Sequence, residues 1–361
     1  MRLIASCQRA LLCATGRSRS QERALTEACV PMTCITEKRP ANANAVAIVL
    51  LTKNGATFLE ECLQAIYRQE SRYPFEILAV DSGSTDATRA ILKKYAVRVT
   101  EIPPSDFNHG GTRNLAASLA SPDVEYLVYL SQDTTPLPGW LDALVDTVAG
   151  DAQVAGAFSR HVPRPDCNPL LARRILEEWE QVGGQRRVVK CLDGAPDLSR
   201  DGHALAHFSN TSSCLRRDVW RTVPFPEVDF AEDLAWAVRV LEGGYCLVYE
   251  PASAVLHSHS GSLSRLFKEN IDSGRGVRAA LRDWTNRLMP ARNSVPQRIY
   301  QDLRFLSQCQ KPLHERIGWM LYTPLWYTAS TSGQWIGAHI ERGPLWLRER
   351  LSWQAMIKQE T

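Results

Sequence analysis

From Ala45 onward, apolar runs that each close on a polar residue alternate with amphipathic runs, and this alternation constrains the fold more than any other feature. "AVAIVLL" is continuous and rich in β-branched residues, the pattern of a strand covered on both faces. It stops at "TKNG". "TFLEECLQAIYRQ" then sets Phe58, Leu59, Cys62, Leu63 and Ile66 at helical spacing. "FEILAVD" predicts a second strand ending at Asp81, and "SGSTDATRAILKKY" a turn and a helix N-terminus. "VRVTEIP" predicts a third strand, "TRNLAASLA" a helix, and "EYLVYLSQD" a fourth strand ending at Asp133. Strands alternating with helices imply a mostly parallel sheet with right-handed crossovers.

The 361 residues fit one α/β unit with appendages, and 44% hydrophobic with 22% charged residues allows a sizeable core. A net charge of +3 is too small to argue for a nucleic-acid partner. The ten cysteines are scattered and form no CxxC pair, so neither a zinc site nor a disulfide framework is expected. They read as small core residues of a protein kept in a reducing compartment. Residues 1–44 differ from the rest, with Arg2 and Arg9 interrupting a short apolar stretch. They read as a disordered leader or as sequence upstream of a start at Met32, with a weak targeting segment as the alternative.

Thr52, Asp81 and Asp133 each close a predicted strand, and an open α/β sheet binds ligands in the crevice beyond those ends. One Asp after a strand is an ordinary turn former or helix cap. Three such ends on one edge make a site. "SDFNHGGTRN", residues 105–114, falls on the same edge, between the third and fourth strands. Glycines permit close backbone approach, and a helix N-terminus and a guanidinium both favour phosphate oxygens. The stretch therefore reads as a diphosphate clamp built on Gly110 and Arg113. It has neither the GxxxxGK[ST] nor the GxGxxG spacing of other phosphate loops.

"VLLTKNG", "VDSGSTD", "HGGTRN" and "YLSQDTTP", in this order, resemble the inverting family 2 glycosyltransferases of GT-A fold. "FSNTSSCLRRDVWRTVPFPE" and "FAEDLAWAVRVLEGGYCLVYEPAS" extend the likeness, which runs over residues 45–280. Within the family, "FNHGGTRN", "SQDTTP", "FSNTSS" and "HSHSGSLSRLFKENIDSG" are most similar to bacterial rhamnosyltransferases using dTDP-L-rhamnose. The resemblance implies a Rossmann-like, mostly parallel sheet flanked by helices over residues 45–280, with a C-terminal helical extension over 281–361.

It also implies roles. Thr52 and Ser82 would lie along the nucleobase, and Asp81 would accept from its N3–H. Asp86 would cap the next helix or steady the turn. Arg113 would reach the nucleotide or its diphosphate. His109 would touch the donor sugar or order the glycine loop. Asp133 would ligate Mg²⁺ or Mn²⁺ across the phosphates, with His257 or His259 supplying a further ligand or binding phosphate. Asp233 would be the catalytic base, supported by Ser209, Asn210 and Glu232, the last of which would point away from it. The chemistry needs these types: a hard cation on oxygen ligands steadies the departing diphosphate, and a carboxylate takes the proton of a poorly nucleophilic hydroxyl. The DxD position departs from the family, reading Ser131, Gln132, Asp133 with one carboxylate.

Residues 317–340 contain no Asp, Glu, Lys or Arg, yet are too polar for a membrane span. Trp319, Tyr322, Trp326, Tyr327 and Trp335 suit a membrane interface, with Arg316, Arg342, Arg348 and Arg350 near lipid headgroups. A helical hairpin packed on the catalytic part is the alternative. The expected partners are thus a nucleotide-sugar donor, a surface-polysaccharide or polyprenyl-linked glycan acceptor, and the cytoplasmic face of the inner membrane. A UDP-hexose donor and a non-catalytic nucleotide-sugar-binding subunit are the competing readings.

Overall fold

The computed structural model describes residues 45–352 apart from 193–195, 229, 259–260, 282, 285–293, 310, 341–343, 345 and 347–349. The expectations for the leader, His259, Arg342 and Arg348 lie outside the described residues.

Strands β1 (Ala45–Thr52), β2 (Phe75–Asp81), β3 (Val97–Glu101) and β4 (Val124–Ser131) are parallel, as the alternation predicts. Helices α1 (Ala56–Tyr67), α2 (Thr88–Lys93) and α3 (His109–Ser118) connect them. In β1, Val46, Ile48 and Leu50 join one core, with Leu59, Leu63 and Ile66 of α1. Ala47 and Val49 join the other core, with Ala116 and Ala117 of α3. Burial on both faces is why this strand reads as an unbroken apolar run.

The chain continues through β5 (Thr135–Pro136), α4 (Trp140–Ala149), β6 (Val154–Val162), α5 (Pro169–Val182) and β7 (Val188–Lys190). It then forms α6 (Leu198–Ala206), β8 (Ser212–Arg216), α7 (Arg217–Thr222), α8 (Glu232–Glu242) and β9 (Cys246–Leu256). The sheet order is β3-β2-β1-β4-β8-β6-β9-β5, with β7 pairing β9. β8 runs antiparallel between β4 and β6. The chain steps from β1 to β2 and β3 on one side and returns to β4 on the other. This switch opens a crevice at the carboxyl ends of β1 and β4.

The cysteine expectation needs correcting. Cys62, Cys214 and Cys309 are buried, but Cys191 and Cys246 form a disulfide. β7 pairs β9 with Lys190 opposite Leu247, so the next pair in register is Cys191 and Cys246. Nothing in the local sequence announces a pair 55 residues apart that only strand register brings together.

Helices α9 (Leu263–Leu281), α10 (Val295–Gln308) and α11 (Leu313–His339) complete the described chain. α11 is one helix of 27 residues, continuous through Pro324. It crosses α9 so closely that a Cβ at Gly337 would stand 2.0 Å from the Ile271 carbonyl oxygen. Thr323, Tyr327, Ser330, Gly333 and Gly337 face inward, whereas Leu313, Ile317, Leu321, Leu325 and Trp335 are exposed. Asp302 of α10, fully buried, accepts from Arg174 of α5 at 3.1 Å, and that guanidinium lies 3.5 Å from the centre of the Trp326 ring. Arg316 donates to the carbonyls of Leu306 and Ser307. Among the described residues, no helix is long and apolar enough to cross a membrane.

Candidate functional site

A cavity of about 480 Å³ lies at the switch point, walled by the tips of β1 and β4 and by the start of α3. Thr52, Ser82, His109, Arg113, Asp133 and Asn210 line it, together with Lys53, Asn54 and Gln132, which the sequence reading had not assigned. Asp81 sits beneath this surface at 0% exposure. It accepts from Thr52 Oγ1 at 2.9 Å and from Ser84 N at 2.8 Å and Oγ at 2.6 Å. Both its oxygens are therefore already employed in fixing the turn after β2. Lys53 Nζ donates to the Ser82 and Gly83 carbonyls above it. Asp86 accepts from Ala56 N and Thr88 N, tying together the starts of α1 and α2.

Gln132 closes the gap between the two central strands. Its amide accepts from Lys53 N at 3.2 Å and donates to Lys53 O at 2.9 Å, as a further rung of sheet would. A Cβ at Gly55 would stand 2.0 Å from Gln132 Oε1, so this contact needs the glycine. The middle residue of the expected DxD triplet thus serves the wall of the cavity.

Asp133 and His257 come from the ends of β4 and β9 and meet with Oδ2 3.4 Å from Nε2. Arg164, just past β6, braces this pair. Its guanidinium donates to Asp133 O at 2.8 Å, Thr135 Oγ1 at 3.0 Å and Glu61 Oε1 at 2.9 Å. Its own N–H donates to Ser258 Oγ at 3.2 Å, and its head stacks 4.2 Å from the centre of the Phe58 ring. Sequence reasoning missed Arg164 because the segment around it carries no motif. His161 packs edge-on to His257, 5.3 Å between ring centres, and burial, then the two neighbouring histidines, pushes its pKa well below the ordinary value. Among the described residues no three His, Cys, Asp or Glu side chains converge as a metal cluster. One carboxylate and one imidazole still form a workable donor set for a hard cation whose other ligands are phosphate oxygens and water.

The stretch "HGGTRN" differs from expectation. It is the first turns of α3 rather than a loop ahead of it, capped by Asn108, whose side chain accepts from Gly111 N. Gly110 is needed for protein packing, since a Cβ there would lie 1.7 Å from the Pro226 carbonyl oxygen. His109 is held edge-on between Phe107 and Phe230. Arg113 Nη1 pairs with Glu232 Oε1 at 2.8 Å and reaches His109 O at 3.2 Å.

Glu232 therefore does not point away. It is buried at the start of α8, and Asn210 Nδ2 donates to its Oε1 at 3.1 Å. Burial works to raise its pKa, but Arg113, His109 and Asn210 together hold it below the usual carboxylate range. Asp233 beside it accepts from Asn210 N at 3.2 Å and Leu234 N at 2.8 Å. Burial and then Glu232 push Asp233 up to about 7. Ser209 supplies a carbonyl that closes the turn into β8. Ala231 holds the left-handed conformation, φ 60°, immediately before the two acids. That strained backbone is retained where the acids must be aimed.

Residues 47–207 match the protein family described as Glycosyl transferase family 2. The O-antigen chain rhamnosyltransferase WbaN of Salmonella anatum is 30% identical over 224 residues, 61% of this chain and 68% of that protein. The O-antigen chain rhamnosyltransferase RfbN of Salmonella typhimurium is 29% identical over 234 residues, 63% of this chain and 71% of that protein. Among solved structures, the mannosyltransferase PcManGT from Pyrobaculum calidifontis, in complex with GDP-Man and Mn²⁺, superposes with a TM-score of 0.52 at 18% identity. That superposition covers 92% of this chain and 97% of the other.

Proposed function

The chain belongs to glycosyl transferase family 2 and has the GT-A fold, and from this premise we propose that it transfers L-rhamnose from dTDP-L-rhamnose to a hydroxyl of a surface-polysaccharide or lipid-linked glycan, with inversion. The observation that carries the reading is Asp233: a carboxylate whose pKa is pushed up to about 7, held by the backbone of Asn210, a residue that lines the cavity. A base works best when its pKa lies near the working pH. The acceptor oxygen attacks the anomeric carbon and its proton passes to Asp233. The bond from that carbon to the phosphate oxygen breaks, and its electron pair leaves with the nucleoside diphosphate. Thr52 and Ser82 line the nucleotide end of the cavity. Asp133 and His257 would hold Mg²⁺ or Mn²⁺, which neutralises charge on the diphosphate. The rhamnose assignment draws on the two relatives named as O-antigen chain rhamnosyltransferases.

The test is donor hydrolysis and binding with Mg²⁺ or Mn²⁺ across dTDP-rhamnose, UDP-glucose, UDP-galactose and UDP-N-acetylglucosamine. The expected result is preference for dTDP-rhamnose. Asp233→Asn is expected to keep donor binding and to lower turnover by about 10²–10⁴-fold. Preference for a UDP-sugar would overturn the rhamnose assignment. Donor binding without turnover, even with a lipid-linked acceptor extract, would leave a nucleotide-sugar-binding subunit.

The outward face of α11 supports a place at the cytoplasmic surface of a membrane. Small and polar side chains face its partner helix while leucines and a tryptophan face out, the reverse of a helix packed in water. Too polar and short of apolar length to span, such a helix suits the interface.

A further inference from the structure

We propose that Arg113, Glu232 and Asn210 form a positioning device for Asp233, in which Arg113 is the internal counter-ion of Glu232 rather than a ligand of the donor diphosphate. The proposal rests on the reading of Asp233 as the base. Two adjacent carboxylates open α8, and Glu232 is only 5% exposed. An ionised carboxylate in that position needs a counter-charge, and the cation that meets it is Arg113, 2.8 Å away. The pair is shielded on both sides, with side-chain exposures of 10% for Arg113 and 6% for Glu232. Arg113 Nη1 is committed to Glu232 and the His109 carbonyl, whereas Nε is buried without a hydrogen-bond partner among the described residues and the residue borders the cavity.

Asn210 locks the two acids in register. Its side-chain N–H₂ goes to Glu232, its backbone N–H goes to Asp233, and its Oδ1 accepts from Ser213 Oγ at 2.9 Å. One residue thus fixes both carboxylates and is itself anchored to β8. The charges bearing on Asp233 are Glu232 from its own helix and Arg113 from α3, while His109 of α3 acts on Glu232. From α9, Gly276 packs at this turn, and Arg265 lines the cavity.

The two members of the pair pull Asp233 in opposite directions. Glu232 disfavours its ionised form and Arg113 favours it. Removing one alone leaves the other uncompensated.

The experiment titrates Asp233 directly, by carboxyl ¹³C NMR of the full chain with labelled aspartate, the signal assigned through Asp233→Asn. The pH profile of kcat/KM with dTDP-rhamnose is measured alongside. Glu232→Gln is expected to lower the Asp233 midpoint and Arg113→Gln to raise it, each by about one unit or more. The double variant should return close to the native midpoint, and Arg113→Lys should keep it if Arg113→Gln does not fold. dTDP affinity should change by less than about tenfold in Arg113→Gln.

Shifts in the same direction, or none, would overturn the device. So would a loss of dTDP affinity beyond about tenfold with an unmoved midpoint, which would make Arg113 a diphosphate ligand. Opposite shifts with transfer intact in Asp233→Asn would keep the device and remove Asp233 as the base.

Discussion

Lys190 places an ammonium where water barely reaches. It is 6% exposed, donates to the His207 carbonyl at 2.8 Å and lies 5.0 Å from the centre of the Phe158 ring. Burial pushes its pKa from the usual 10.5 down to about 7. A folded-state pKa below the unfolded one means that this group's contribution is intact above about pH 10.5 and is lost as pH falls towards 7. Each unit of difference corresponds to about 1.4 kcal/mol between the two protonation states. Lys190→Met is therefore expected to raise the Tm at pH 7 and to gain progressively less as pH approaches 10. Scanning calorimetry at the two pH values would decide it, and an equal gain at both would remove the buried charge as the cause. Residues of this kind were not legible beforehand, because "VVK" gives no sign of which way its lysine turns. The glycine pair after His109 was legible as a demand for closeness, but not that Gly110 would meet Pro226 and Gly111 the Asn108 side chain. Asp81 was legible as a strand-end acid, but its bonds to Thr52 and Ser84, which fix the turn after β2, were not.

Among the elements, the strands with the clearest sequence signal were β1, β2 and β4, because both their faces are buried and the helices between them keep a 3.6-residue period. The reversed direction of β8 and the short β5 and β7 were not legible, since strand direction leaves no trace in five residues such as "SSCLR" and pairs of two or three residues carry almost none. α11 was legible as an uncharged run, but its orientation was not. The close crossing with α9 at Gly337 fixes the inward face, which takes Tyr327 but leaves Leu313, Ile317, Leu321, Leu325 and Trp335 outside. If that face meets lipid, Leu321→Glu with Leu325→Glu should abolish sedimentation with anionic phospholipid vesicles while leaving hydrolysis of soluble donor within about twofold, since exposed surface changes cost little in the fold. Unchanged sedimentation would remove the face from membrane contact.

Across the whole molecule, the placement of Asp233 depends on a helix from the far end of the described chain. Gly276 of α9 backs the strained turn before α8, where a Cβ would meet Ala231 Cβ and Phe230 O at 2.8 Å. Gly276→Leu should shift the two acids without touching the cavity, lowering kcat by about 10²-fold if the displacement reaches an ångström while the dTDP Kd is kept. Stopped-flow and equilibrium binding separate these quantities, and equal losses in both would mean general damage.

The cavity has a further consequence for how such a chain changes over generations. All its lining residues except Asn210 and Arg265 come before residue 134, whereas Asn210, the two acids and Gly276 lie between 209 and 276. The segment between α6 and β8 parts them in the sequence, yet the Arg113–Glu232 ion pair and the β4–β8 ladder span that point. A chimera joined there would therefore inherit its two acids correctly aimed only if both parents carry the matching half of that pair.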